Sequence, residues 1–264
     1  MSLLLDNFSV GYRNTPIIKS LSLPSIPAGS LVAVLGPNGV GKSTLLRAMA
    51  RLLPFHGELT LNGESVDKMA VAQSARCMGY LPQTLPQATS LVAYEIAFSA
   101  CRAVKPELSK SYIEQIIEHT FSKLGISHLA FKRLSELSGG QRQMIGLAQV
   151  LIREPQLLLL DEPTSALDLH WQISVLQTVK QEIQQCQAIG LVAIHDINLA
   201  LRFCDQLLVL GPHGLLAMGE PKSVLTPDIL QQAYGIRGRV EKCSKGYPIV
   251  LVDEALSTSM NVNT

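Results

Sequence analysis

Gly36-Pro37-Asn38-Gly39-Val40-Gly41-Lys42-Ser43-Thr44 fits the pattern G-x-x-x-x-G-K-[ST]. The run before it, Leu31 to Leu35, is wholly apolar and reads as a buried strand. A helical pattern begins at Lys42 and runs to about Leu53. Strand, Gly-rich turn and helix form the context in which that pattern carries chemistry. Glycines let successive backbone N–H groups turn inward around an anionic phosphate. The helix start adds its free N–H groups and the positive end of its dipole. Lys42 would reach the phosphate oxygens, and Ser43 would offer its hydroxyl to Mg²⁺. A strand feeding a helix through such a turn points to an α/β fold with a parallel sheet.

Further along, Leu157-Leu158-Leu159-Leu160-Asp161-Glu162 places four leucines before two carboxylates. Such a run is the mark of a strand covered on both faces, as in a parallel sheet. The carboxylates then fall at its carboxyl end, where α/β sheets bind ligands. The pair could also cap the next helix, and the two roles are compatible. Phosphoryl transfer needs this division of labour, in which a metal and backbone neutralise charge while a placed group orients the nucleophile.

Composition narrows the class. The 264 residues are 47% hydrophobic and 16% charged, with net charge +1 and no basic cluster. That suits a well-buried α/β protein and argues against nucleic acid as a partner. No apolar stretch reaches the roughly 18 to 20 residues of a membrane span. The start, Met1-Ser2-Leu3-Leu4-Leu5-Asp6, lacks the basic region of a signal peptide. Five cysteines, Cys77, Cys101, Cys186, Cys204 and Cys243, are scattered without metal spacing and read as reduced cytosolic thiols. The histidines are likewise dispersed.

Alternating patterns from Leu3 to Val10, at Ile17-Ile18 and at Leu21-Leu23 predict antiparallel strands. Glu58 to Leu61 followed by Asn62-Gly63 predicts a hairpin. Leu91 to Ala103 is helix-forming. Tyr112 to Leu124 sets Ile113, Ile116, Ile117, Phe121 and Leu124 on one helical face, which Gly125 ends. Another helix spans Gln141 to Ile152, broken by Pro155. Alternation then resumes, with helices at Trp171 to Gln187 and Asn198 to Cys204. Strands follow at Gly190 to Ile194 and Leu207 to Leu210, then a turn at Gly211-Pro212-His213-Gly214. The expected organisation is a discontinuous core, 1–84 and 156–235, a helical insertion at 85–155, and an extension at 236–264. That extension holds one strand-like segment, Pro248 to Val252, and a polar end from 257 to 264 expected to be disordered.

Leu137-Ser138-Gly139-Gly140-Gln141, followed by Arg142, resembles the signature of ATP-binding cassette (ABC) ATPases. The resemblance covers nearly the whole chain and implies a P-loop NTPase core sheet with an antiparallel β subdomain and an inserted α-helical subdomain. It identifies Gly36 to Thr44 as a Walker A loop and Asp161-Glu162 as the end of a Walker B strand. It implies that Asp161 holds Mg²⁺ through water and that Glu162 polarises the attacking water. Gln83 resembles the Q-loop glutamine that senses Mg²⁺ and the γ-phosphate. His195 resembles the switch histidine, Asp168 the D-loop residue facing a partner subunit, and Tyr12 the adenine-stacking aromatic. In that family the signature of one copy closes over ATP held by another, so a homodimer is implied, together with permease subunits in the membrane and, indirectly, a substrate-binding protein. The subunit would lie at the cytoplasmic face of the cell membrane.

Within the family the chain is most similar to ATPases of importers for iron–siderophores, haem and cobalamin. The segments that carry this are Tyr80-Leu81-Pro82-Gln83, His195 to Ala200, Cys204-Asp205, and Leu225-Thr226-Pro227 leading to Tyr234-Gly235. One stretch departs. Many such ATPases carry Gly-Arg-x-Pro about fifteen residues after the Q-loop glutamine, where this chain has Ala97-Phe98-Ser99-Ala100-Cys101-Arg102, with only Glu95 similar. The permease dock is expected at residues 84–103. A non-transport ABC protein is the reading from another class. The distance between Walker A and signature is about a hundred residues, too short for the long coiled coil of repair-type members, and there is one cassette rather than two.

Overall fold

A computed structural model describes residues 1–13, 15–84 and 87–256. The expected disorder of 257–264 lies outside them. The chain is α/β, built on a six-stranded sheet in the order β10-β9-β3-β8-β7-β6. Its parallel strands are β3 (Leu31–Leu35), β6 (Met78–Leu81), β7 (Leu157–Asp161), β8 (Ile189–Ala193) and β9 (Gln206–Gly211), with β10 (Gly214–Gly219) antiparallel at one edge.

The apolar runs are apolar because each strand is covered twice. Leu158 and Leu160 enter one core cluster, and Leu157 and Leu159 enter the other. Ala33 and Leu35 oppose Val32 and Val34 in the same way. On one side lie α1 (Lys42–Met49) and an antiparallel sheet, β2 (Thr15–Pro27), β1 (Ser2–Tyr12), β4 (Phe55–Leu61) and β5 (Glu64–Ser65), in that order. The Asn62-Gly63 turn joins β4 to β5, with φ of +57° and +80° at its two residues, as a tight hairpin demands.

The other core holds α3 (Ala93–Val104), α4 (Lys110–Lys123) and α5 (Gly139–Leu151), all inserted between β6 and β7, and also α6 (Leu169–Gln185) and α7 (Ile197–Phe203). Ile113, Ile117 and Phe121 of α4 are buried as the helical spacing predicts. An ion pair between Lys123 and Glu182 joins α4 to α6.

Some expected boundaries move. The helix after the Gly-rich turn stops at Met49, not Leu53, because Arg51 adopts a left-handed φ of +59° and the chain turns toward β4. The helix expected to begin at Trp171 starts two residues earlier, at Leu169, because Asp168 caps it. Helix α2 (Val71–Cys77) was not foreseen; Ser74 is its one buried residue, so it shows no apolar stripe. The carboxyl-terminal region contains α8 (Pro221–Val224), α9 (Pro227–Tyr234) and a two-stranded hairpin, β11 (Ile236–Lys242) with β12 (Pro248–Ala255). The single strand expected at Pro248 to Val252 thus has a partner, disguised by the charged sequence Arg-Gly-Arg-Val-Glu-Lys. Among the described residues no helix is long and apolar enough to cross a membrane.

Candidate functional site

The Gly-rich turn follows β3 at its carboxyl end and opens α1. Gly36, Gly39 and Gly41 have φ of +143°, +78° and +111°, so three of its residues occupy backbone regions that side chains resist. Gly41 is also crowded, since a Cβ there would lie 2.7 Å from Ile17. Asn38, Gly39, Gly41, Lys42, Ser43 and Thr44 line a cleft of about 440 Å³. Tyr12, Gln83, Glu162 and His195 line the same cleft. Of the remaining loop residues, Gly36 and Pro37 turn their carbonyls to Lys42, whose Nζ donates to both (2.7 and 3.1 Å). The Val40 N–H donates to the Pro37 carbonyl (3.4 Å).

Behind the loop, the ends of neighbouring strands bring the acids to it. Ser43 Oγ donates to Asp161 Oδ1 (2.8 Å) and Tyr80 Oη to Asp161 Oδ2 (3.3 Å). Burial raises the Asp161 pKa, against the opposing pull of these two hydrogen bonds, and raises that of Tyr80. Burial also lowers the pKa of Lys42, while Glu162 and Asp161 pull it back up.

Glu162 is held by its side chain and by its backbone. Its carboxylate sits between two partners, accepting from Gln83 Nε2 (2.7 Å) and lying 2.5 Å from His195 Nε2. Its backbone has φ +53°, an uncommon conformation for a residue with a side chain. Neighbours hold it there. The Glu162 N–H donates to the Ala193 carbonyl of β8 (3.2 Å). Its own carbonyl accepts from Ser165 Oγ (3.1 Å) and Gln143 Nε2 (3.4 Å). His195 follows β8, and Asp196 caps α7 by accepting from the N–H groups of Asn198 (2.8 Å) and Leu199 (3.0 Å), which fixes where the histidine stands.

Tyr12 ends β1 at the rim. It is 44% exposed, and its hydroxyl accepts from Arg47 Nη1 (3.2 Å).

The other expected residues lie elsewhere on the chain. Ser138, Gly139, Gly140, Gln141 and Asp168 line a second cleft, of about 410 Å³, with Trp171 and His128. Ser138 caps α5, accepting from the Gln141 N–H (3.3 Å), while the Gln141 side chain accepts from the Ser138 N–H (3.0 Å). Asp168 caps α6 through the Trp171 N–H (3.1 Å). Thus one chain carries two clefts, one with an amine and a carboxylate, the other with a helix N-terminus.

Sequence reasoning missed Tyr80 and Gln143 as site residues. Tyr80 had a signal, since it lies near the carboxyl end of a strand adjoining β7. Gln143 had only its place one turn into α5. Glu95, the residue similar to the importer pattern, accepts from the Val92 N–H (3.1 Å) and so caps its own helix.

Known proteins resemble this chain in sequence and, among solved structures, in fold. Residues 18–165 match the family described as ABC transporter. The ferric enterobactin transport ATP-binding protein FepC of Escherichia coli is 34% identical over 236 residues, 88% of this chain and 86% of its own. The hemin import ATP-binding protein HmuV of Bordetella avium is 36% identical over 248 residues, 91% of this chain and 94% of its own. Among solved structures, cbiO1 of Clostridium perfringens, part of the ABC transporter complex cbiONQ, superposes with TM-score 0.73 at 28% identity, covering 83% of this chain and 88% of that one. With more than half its length inside the family match and such relatives along nearly all of it, the chain belongs to the ABC transporter family.

Proposed function

We propose that this chain is the ATP-hydrolysing subunit of an import system, coupling ATP turnover to uptake of an iron–siderophore or similar metal chelate through a membrane permease. The observation that carries the chemistry is Glu162, held between Gln83 and His195 beside the Gly-rich loop. A carboxylate so placed can take a proton from a water attacking the γ-phosphate. Lys42 and the loop N–H groups hold the phosphates, and Tyr12 stacks on the adenine. His195 and Gln83 keep the Glu162 carboxylate aimed.

Ser43 Oγ and the Asp161 carboxylate offer oxygen donors side by side, the set a hard divalent cation takes. They fit Mg²⁺, and Gln83 lines the same cleft as Ser43. Mg²⁺ bound there would neutralise charge on the phosphate oxygens.

One chain does not surround a nucleotide, because Ser138 to Gln141 and Asp168 open into a different cleft. We infer that two copies pair head to tail, so that the α5 N-terminus of one faces the γ-phosphate held by the other. ATP then favours the closed pair, and loss of the γ-phosphate releases it. Segment 84–103, of which residues 85 and 86 lie outside the described ones, is proposed as part of the permease dock, with Leu91 half exposed within it. The subunit works peripherally, at the cytoplasmic face of the membrane.

The cargo class rests on the likeness to FepC, 34% identical, and the likeness to HmuV, 36% identical, makes haem the second reading. Deleting the gene and measuring uptake of labelled ferric siderophore, haem and cobalamin tests it. Loss of siderophore uptake alone is expected. Loss of haem uptake alone moves the assignment to the second reading, and unchanged uptake of all three overturns the import role.

A further inference from the structure

Gly36, the first residue of the phosphate loop, is held at every polar atom of its backbone. Its carbonyl accepts from Lys42 Nζ (2.7 Å). Its N–H donates to the hydroxyl of Tyr234 (2.9 Å), a residue 198 positions further along the chain. It also presses on β9, since a Cβ at Gly36 would lie 2.5 Å from the Leu210 carbonyl oxygen. Neither the signature nor the Walker residues account for the tyrosine.

Tyr234 is the last residue of α9. Gly235, with φ +64°, caps that helix and turns the chain into β11. The far strand of the hairpin, β12, is fastened to the core by Asn198, whose side chain accepts from the Val250 N–H (2.8 Å) and donates to the Val250 carbonyl (3.5 Å). Asn198 stands three residues after His195. The carboxyl-terminal unit therefore touches the residue that opens the phosphate loop and the helix that follows the switch histidine. Burial pushes the Tyr234 hydroxyl up to about 12, against the Gly36 N–H bond, so it stays neutral across physiological pH.

We propose that Tyr234 is a positioning residue for nucleotide binding, its hydroxyl anchoring Gly36 so that the N–H groups downstream stay turned toward the phosphates. A phosphate in the loop competes with the Gly36 and Pro37 carbonyls for Lys42. Once the amine turns to the phosphate, the Tyr234 bond is the side-chain tie that still holds Gly36. The inference rests on Gly36 to Thr44 being the phosphate cradle.

Tyr234→Phe tests it, because the ring and its packing remain and one oxygen goes. The Kd for fluorescent ATP, the KM and kcat of ATPase turnover, and the thermal midpoint are measured on the full chain, with Lys42→Ala in parallel. The loss of this bond leaves a partly buried N–H unpaired, so a rise of about three- to tenfold in Kd and KM is expected, with kcat within about twofold. Unchanged Kd and KM in Tyr234→Phe, with nucleotide binding lost in Lys42→Ala, overturns the positioning role and leaves the cradle intact. A lowered thermal midpoint with unchanged KM also overturns it, since that marks a purely structural bond. Wild-type binding in Lys42→Ala overturns the cradle itself.

Discussion

Replacing Glu162 by glutamine separates chemistry from architecture better than any other change in the cleft. The carboxylate makes two close contacts, with Gln83 Nε2 at 2.7 Å and His195 Nε2 at 2.5 Å, and its side chain is 10% exposed. Glutamine has the same shape. Its amide oxygen can still accept from Gln83, and its NH₂ can face His195 in the tautomer whose Nε2 accepts. What is lost is the charge in two hydrogen bonds, about 1–2 kcal/mol in all. Removing a buried charge returns part of that, so the thermal midpoint should move by no more than about 4 °C. On the proposed role catalysis loses its proton acceptor, which is worth about 100- to 10,000-fold in rate, or about 3–5 kcal/mol of barrier. Phosphate release with ATP and Mg²⁺, scanning calorimetry and gel filtration read the three quantities. The expected result is a folded protein that binds ATP, turns over at least 100-fold more slowly and elutes as a dimer with nucleotide. Turnover within tenfold of wild type, at equal nucleotide occupancy, would remove Glu162 from the role of base. A monomer under every nucleotide condition would refute the pairing of the two clefts.

Other changes probe the remaining assignments. Burial raises the pKa of Asp161 above its unfolded value near 3.8. Its ionisation therefore costs stability, and the cost grows as pH rises from that value through the folded one. Asp161→Asn should melt higher than wild type at pH 7 without nucleotide, the advantage shrinking as pH falls toward 4, while Mg²⁺-dependent hydrolysis is lost. An advantage that does not depend on pH, in calorimetry across that range, would contradict the burial argument. At the rim, Tyr12→Ala should weaken ATP binding by about five- to tenfold, in line with the loss of one stacked ring, and Tyr12→Trp should restore it. Equal affinities of all three proteins in a titration would remove stacking from the site.

The elements that were legible in the sequence are those whose reason is local. Leu157 to Leu160 announces a strand covered twice because every residue in it is apolar, and both cores use it. The Gly-rich turn is legible because three of its residues need positive φ. Ser138 is legible as a helix start, since a side-chain oxygen must meet the N–H three residues on, whereas the same cap at Asp168 went unread and the helix was expected two residues late. What stayed hidden depends on partners far along the chain. Tyr234 looks like the end of an ordinary helix until its hydroxyl meets Gly36. Gln143 looks like one polar residue in an amphipathic helix, yet it is buried against the Glu162 carbonyl. β11 reads as a charged tail because its pairing is with another short strand, and Gly238 is its one fully buried residue. Helix α2 has no apolar face to betray it.

The left-handed backbone at Glu162 has an evolutionary corollary. A conformation that glycine or asparagine adopts with little cost is occupied by an acid with a Cβ, a penalty on the order of 1 kcal/mol or more. Random drift unconstrained by turnover would therefore carry this position toward the smaller or more tolerant residues. On the proposed role, lineages that abandon hydrolysis while keeping the scaffold should show that substitution, and lineages that hydrolyse ATP should keep the acid.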